Sequence, residues 1–417
     1  MGGNPGRRHD PGDLSAHLRR LLVPSAALLW GLQFALLNPV LAVLLVGVFD
    51  ATAAQVGGAL AVYNASGFAA SLLLPGYADR RQEYVRPMLA CAILTLALAG
   101  ALALTTSLPV AVCALVVLGG PAGVGTSLLF AHLKHSGAAA GEVVRTRAVV
   151  SVAWVAGPPL AAFVLTGSGP RAVLVLLAAV AVLTIAATTA MLRTDGPPPA
   201  PEVGGDDRTQ VSRGRVATIM VVFVALQATN GAVVSIMTLF VTDRMRLDVA
   251  WAGIALGAAA ALEIPALLII GRLSSRIPAL RLIASGCLAG IVYYLAMAYA
   301  QGPVTLLGLQ VLNAWFFAAI AGVGLTLFQD IVARPGLASG LYVNTRRIGA
   351  IVAGAIISAG SATSLGYSGV FLTCAAIAAG ALLILGAVSR ASVAEQRNDP
   401  ATRAPNGIQA ARPQGFS

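Results

Sequence analysis

Apolar stretches of roughly 20 residues, separated by short polar turns, recur along almost the whole chain. Twelve are legible, over residues 21–47, 53–76, 87–106, 108–131, 145–167, 171–192, 216–241, 250–271, 279–300, 303–328, 337–360 and 367–388. As a helix, each is long enough to cross a hydrocarbon core about 30 Å thick. Strands do not fit, because the runs are too long and lack the period-two alternation of a membrane barrel. Gly, Ala or Pro occurs in nearly every run, which suits close helix packing and tolerated kinks in lipid. The pattern predicts an all-α membrane protein of twelve transmembrane helices.

The longest polar interruption, Arg193–Arg215, holds Pro197-Pro198-Pro199 and Asp206-Asp207 and reads as a flexible linker. It divides the chain into an N-terminal six-helix half, 21–192, and a C-terminal half, 216–388. The polar tails, 1–20 and 389–417, are expected to be disordered. Arginines sort to alternate connections: Arg80, Arg81 and Arg86; Lys134 and Arg145; Arg193 to Arg215; Arg272, Arg276 and Arg281; Arg334. The other connections hold only Arg171, Arg244 and Arg246. By the positive-inside rule both termini are cytoplasmic, in the inner membrane.

Composition sharpens this picture. The chain is 58% hydrophobic and 10% charged, against about 25% charged in soluble domains. That deficit excludes an ordinary soluble enzyme. The net charge of +11 sits in the loops, so it reports topology and gives no reason to expect a nucleic-acid partner. Cys91, Cys113, Cys287 and Cys374 fall inside apolar runs without metal-ligand spacing and read as small buried filler.

A weak internal repeat relates the halves. Gly76-Tyr77-Ala78-Asp79-Arg80-Arg81 after run 2 corresponds to Gly271-Arg272-Leu273-Ser274-Ser275-Arg276 after run 8. Thr146-Arg147 in run 5 corresponds to Thr345-Arg346 in run 11. Parallel six-helix repeats related by a pseudo-two-fold axis are the architecture of the major facilitator superfamily.

More specific pieces resemble the bacterial sugar efflux transporter family within that superfamily. They are Arg147-Ala148 with Ser151 through Leu160 in run 5, and Leu262-Glu263-Ile264-Pro265-Ala266 in run 8. Leu309-Gln310, Asn313-Ala314 and Phe328-Gln329-Asp330 in run 10 match too, as do Leu341-Tyr342 and Asn344-Thr345 in run 11. The resemblance covers most of residues 25–390. It departs at the loop after run 2, where Pro75 stands in the superfamily's glycine place and Gln82-Glu83 replace Gly-Arg. The likeness implies a monomeric transporter without cofactors that exports sugars or small glycosides across the lipid bilayer, with protons as the coupled ion. The alternative is efflux of drugs or other amphipathic metabolites by the same fold.

Charges inside the runs carry the candidate chemistry, since an ionised group at the bilayer centre costs about 2.5–3.5 kcal/mol on insertion scales. Glu263 lies deep in run 8 with no charge near it in sequence. It is either a proton-exchanging carboxylate or one side of a structural ion pair. Its candidate partners are Arg147, Arg346 and Arg347; the last two are adjacent and point about 100° apart on a helix. Arg346, the repeat mate of Arg147, is taken as the inward one. Asp330 ends run 10 and is a further candidate for a coupling or interface charge, the alternative being a pair with a loop arginine; Asp79, Arg80 and Arg81 form a candidate gating loop. His132 and His135, near the end of run 4, read as surface residues.

Uncharged polar groups within the runs are the substrate candidates, because a sugar needs many hydrogen-bonding partners and an aromatic face. They are Gln33, Asn38, Tyr63, Asn64, Trp154, Gln227, Asn230, Gln310, Asn313, Tyr342 and Asn344, with Trp315 as a second stacking candidate. Helix packing is the competing role for each. An intramembrane enzyme would need a nucleophile with a base, or metal ligands, at membrane depth. No HExxH occurs, and His132 and His135 have no carboxylate nearby in sequence.

Overall fold

A computed structural model describes residues 11–194, 212–248 and 250–398. The expected linker and both expected tails fall largely outside the described residues. The helices nevertheless begin at Pro11 and run to Asn398, inside stretches read from sequence as tails. Among the described residues all regular structure is helical.

We number the passes α1 (Pro11–Phe49), α2 (Ala53–Arg81), α3 (Val85–Leu104), α4 (Leu108–His135), α5 (Ala140–Ser168) and α6 (Pro170–Thr194). After them come α7 (Arg213–Arg244), α8 (Ala250–Leu273), α9 (Ala279–Ala298), α10 (Gly302–Ile331), α11 (Pro335–Ser361) and α12 (Tyr367–Asn398). Ten of these are long and apolar enough to cross a membrane, and α1 adds a pair, Leu22–Asn38 and Val43–Phe49, bent by 57°. The remaining helix, α11, has spanning length at 27 residues. Arg346-Arg347 and its other polar positions lower its apolar content, and each of the twelve expected runs lies on a helix.

Local chemistry sets the helix ends. Thr52 opens α2 with a capping box: its hydroxyl accepts from the Gln55 N–H while the Gln55 side chain accepts from the Thr52 N–H. α2 stops at Gln82, whose φ of 52° is left-handed. α4, α7 and α10 each contain a π-helical segment, at Leu115–Gly119, Phe240–Arg244 and Ala319–Val323. Such segments widen the helix and release carbonyls from the regular ladder. Pro75, Pro158, Pro159 and Pro265 lie inside continuous helices.

Packing repeats with a six-helix offset. α1 lies on α5 and α6 while α3 lies on α6; likewise α7 lies on α11 and α12 while α9 lies on α12. Between the two sets, α2 meets α11 and α5 meets α8, exchanged by the same offset. Close contacts use glycine: Gly157 of α5 rests on Ala35 of α1, and Gly141 of α5 sits so near α8 that a Cβ would come 2.6 Å from the Gly271 carbonyl. Cys91, Cys287 and Cys374 are buried as expected; Cys113 is exposed, on the outer side of α4.

Because the helices alternate in direction, the arginine-bearing connections share one end of the bundle. Among the described residues, hydrogen bonds from the first six helices to the last six cluster between that end and mid-span. Lys134 reaches Asp330 at 2.6 Å, and Gln329 donates to the Phe130 carbonyl at 2.9 Å. Asp79 accepts from the backbone N–H groups of Gly336 and Leu337, at 2.7 and 2.8 Å. Toward the opposite end, Gly57 and Gly58 of α2, Gly253 and Gly257 of α8 and Gly354 of α11 have nothing within 4 Å of a Cβ built on them.

Candidate functional site

Two stripes on α11 organise the mid-span region. Gly340, Asn344 and Arg347 recur at i, i+4 and i+7 and so share one helix face, which meets α2. A Cβ at Gly340 would collide with the Ser71 carbonyl. Ser71 donates to the Asn344 Oδ1 at 2.8 Å. The Arg347 guanidinium lies against Gly67, where a Cβ would come 2.8 Å from Nη1. One step round the helix, Tyr342, Arg346 and Gly349 form the second stripe. The Tyr342 hydroxyl donates to the Ile320 and Ala321 carbonyls at 3.2 Å, in the π segment of α10. Arg346 sits 5.2 Å above the Trp154 ring of α5, a cation–π contact. Gly349 packs on Gln227 of α7.

α5 presents a matching stripe. Arg147, Ser151 and Trp154 follow the same i, i+4, i+7 spacing. Ser151 is buried and donates to the Glu263 Oε1 at 2.8 Å. Glu263 is itself buried, at 9% exposure, and Arg147 and Arg346 are its electrostatic neighbours. α5, α8 and α11 thus bring one carboxylate, two guanidiniums, a hydroxyl and an indole together at the contact between the two helix sets. Arg346 keeps exposed surface there. A buried carboxylate with two guanidinium neighbours is coupled to both of them through its own charge.

Other residues singled out in sequence go elsewhere. Gln33 donates to the Thr184 hydroxyl at 2.5 Å, inside the first six helices. Gln310 donates to the Leu306 carbonyl and accepts from Asn313, so this amide pair is tied within α10. Trp315 donates to Ser285 of α9 at 3.2 Å. Asn64 is exposed and bonds back to the Leu60 carbonyl; Asn38 is exposed and Asn230 partly buried. Tyr63 is buried beside Gly119. Gln227 is buried next to the Tyr342 hydroxyl.

At the arginine-rich end Asp330 is exposed and pairs with Lys134. Arg80 and Arg81 are exposed, with Arg81 over the Tyr77 ring. Asp79 is buried beneath them, holding the first N–H groups of α11 and accepting from Tyr84 at 2.7 Å. A carboxylate at a helix N-terminus meets both free N–H groups and the positive end of the macrodipole. His132 is buried, not at the surface as its helix-end position implied, because α4 continues past it to His135. Sequence reading passed over Ser151, Ser71, Lys134 and Tyr84 as site residues. Ser151 alone carried a usable signal, its position four residues after Arg147.

The sequence profile of the Major Facilitator Superfamily matches residues 23–354. Sugar efflux transporter B of Salmonella typhimurium is 35% identical over 212 residues, half of this chain and 54% of that protein. The match to sugar efflux transporter A of Escherichia coli, 29% identical, covers 62% of its length. The chain therefore spans little more than half the length of several relatives it matches. A Deinococcus radiodurans protein, whose provisional name also invokes sugar efflux, is 32% identical over 84% of this chain and 93% of its own length. Among solved structures, the Escherichia coli fucose:proton symporter superposes with a TM-score of 0.69 at 13% identity, covering 88% of this chain and 97% of that one. An outward-facing bacterial homologue of the iron transporter ferroportin gives 0.70 at 14%, covering 88% and 98%. At such identities the structural likeness speaks for the fold alone.

Proposed function

This chain belongs to the Major Facilitator Superfamily of membrane transporters, and from that premise we propose that it exports sugars or small glycosides by alternating access, in exchange for protons. The observation that carries the reading is the buried Glu263 carboxylate, held by Ser151 with Arg147 and Arg346 as its charged neighbours, at the contact between the two helix sets. Glu263 is the proton-exchanging group. Arg147 and Arg346 stabilise its ionised form and release it when the contact between α5, α8 and α11 opens. In this reading the present arrangement is the state closed toward the cytoplasm, with both termini on that side, which the arginine distribution supports. Two six-helix units, 21–192 and 216–388, rock about this region. Relatives named for sugar efflux support the substrate class.

The decisive measurement is sugar uptake into inside-out vesicles under an imposed pH gradient, with proton flux read in parallel. Glu263→Gln is expected to abolish gradient-driven uptake at wild-type membrane level. Equal uptake by variant and wild type overturns the coupling role.

A second reading, efflux of drugs or other amphipathic metabolites, draws on one observation. Gln33, Gln310 and Asn313 spend their hydrogen bonds on neighbouring helix groups, which leaves fewer amides for a polyol. Amphipathic cations belong in the same vesicle panel. Uptake of these and not of sugars would select this reading.

A further inference from the structure

Glu263 is the one acid in the membrane-spanning stretches of the sequence; Asp50, Asp243 and Asp248 stand toward one end, and Asp79, Glu83, Glu142 and Asp330 toward the other. Against it stand three guanidiniums, Arg147, Arg346 and Arg347, so the centre carries a surplus of 3 − 1 = 2 positive charges. The surplus is unevenly shared. Glu263 has Arg147 and Arg346 as its electrostatic neighbours. Arg347 points the other way, across the contact with α2, and there its companion is Tyr63. Its Nη1 is buried and makes no hydrogen bond. The guanidinium rests on the bare backbone of Gly67, with Gly123 of α4 just beyond.

A guanidinium at this depth is costly unless an anion or a full set of acceptors meets it. Backbone carbonyls do not fill that role for Nη1, and no carboxylate of the spans is its neighbour. Gly67 lets the guanidinium lie directly on the α2 backbone, in the space a Cβ would take, and Gly123 lets it lie close to α4. The fork geometry of guanidinium selects planar, two-oxygen anions and binds them with paired hydrogen bonds. Tyr63 adds a phenol beside it.

We propose that Arg347, with Tyr63, is the subsite that receives the carboxylate of the cargo, so that the transported sugar is a sugar acid. This rests on the sugar reading above and narrows it. Division of labour follows: Glu263 with Arg147 and Arg346 handles the proton on the α5–α8 side, while Arg347 handles cargo charge on the α2 side. The two tasks use adjacent residues on different faces of α11.

Equilibrium binding of radiolabelled glucuronate and glucose to the purified full chain in lipid nanodiscs tests the assignment. Wild type is expected to bind glucuronate at least about tenfold more tightly than glucose. Arg347→Gln is expected to bring the two within about twofold with little change for glucose. Arg347→Lys, which keeps the charge without the fork, should retain part of the preference, and Glu263→Gln all of it. Equal affinities in wild type overturn the assignment and leave the sugar reading standing, and this arm needs no variant to fold. A preference that survives Arg347→Gln also overturns it. Failure of wild type to bind either ligand removes the sugar reading and this inference with it.

Discussion

The two ends of this bundle are built from the same helices and the same small residues, yet among the described residues the hydrogen bonds between the two helix sets lie between one end and mid-span and none lies at the other. At the arginine-rich end α2 and α11 touch backbone to backbone at Ser71 and Gly340, and α5 and α8 do so at Gly141 and Gly271. Directed hydrogen bonds then lock the approach: Asp79 on the start of α11, Gln329 on the Phe130 carbonyl, Ser71 on Asn344. Toward the other end Gly57, Gly58, Gly253, Gly257 and Gly354 have nothing within 4 Å of a built Cβ, and Gly76 at the arginine-rich end is equally bare. Small residues therefore permit close approach without causing it. Polar groups aimed across the contact decide which end is joined, because inside lipid there is no hydrophobic preference between helix–helix and helix–tail contact.

The sharpest way to break the comparison is to put matched bulk at each end. Gly340→Val places a methyl group where the Ser71 backbone carbonyl stands, and backbone has no rotamer by which to yield. The expected penalty on the joined state is about 3 kcal/mol, the top of the usual overpacking range. Spin-label pairs across the arginine-rich end should show that separation lengthening, with transport lost. Gly257→Val, whose added atoms meet open space in this state, should leave the same distances unchanged. Equal responses to the two substitutions would mean that the glycine contact at Gly340 has no part in closure.

Next in size is the carboxylate lock. Asp79→Asn keeps the shape but removes the charge that faces the two N–H groups and the dipole of α11. Hydrogen bonds to charged groups contribute about 1.5–3 kcal/mol, so the equilibrium ratio of joined to separated molecules should fall by roughly tenfold to a hundredfold, read from the same labels. Tyr84, which donates to this carboxylate, has its hydroxyl pushed above the ordinary tyrosine range by burial first and by Asp79 second. The raised value means that the proton, and the bond it makes, is present at neutral pH and is lost only as pH rises through that higher value. Raising pH from 7 to 10 should therefore leave the distances at this end unchanged. A release near pH 10 would show Tyr84 titrating as if free.

Most of the fold was legible in the sequence, and the reason is specific to lipid. Apolar runs long enough to span, the arginine sorting and the six-helix repeat are one-dimensional signals that a bilayer enforces directly. Glu263 stood out on the same logic, as an acid where acids are costly. Two of its neighbours, Arg147 and Arg346, were among the partners the repeat suggested; Ser151 and Trp154 were not. The fork in α11, where Arg346 goes to Trp154 and Arg347 to Gly67, depends on which neighbour lies on each face. Nor did Gln33 or Gln310 announce that a threonine or a helix carbonyl would satisfy them. A buried amide looks the same in sequence whether it waits for a ligand or holds two helices together. The π segments were equally invisible, although the one in α10 supplies the carbonyls that hold Tyr342.

The smallest effect expected belongs to the most visible contact at the joined end. Lys134 and Asp330 approach to 2.6 Å, but the side chains are 29% and 55% exposed. Water and salt screen such a pair, and each long side chain loses rotamer freedom to hold it, so exposed pairs contribute about 0–1 kcal/mol. Lys134→Gln should shift the ratio of joined to separated molecules by less than about fivefold, and the shift should fade in molar salt as the screening length shrinks to about 3 Å. Asp79→Asn should keep its effect under the same salt, because Asp79 is buried. A large, salt-resistant effect of Lys134→Gln would reverse the ranking. It would place the lock on the exposed charges of α4 and α10 instead of on the buried carboxylate beneath α11.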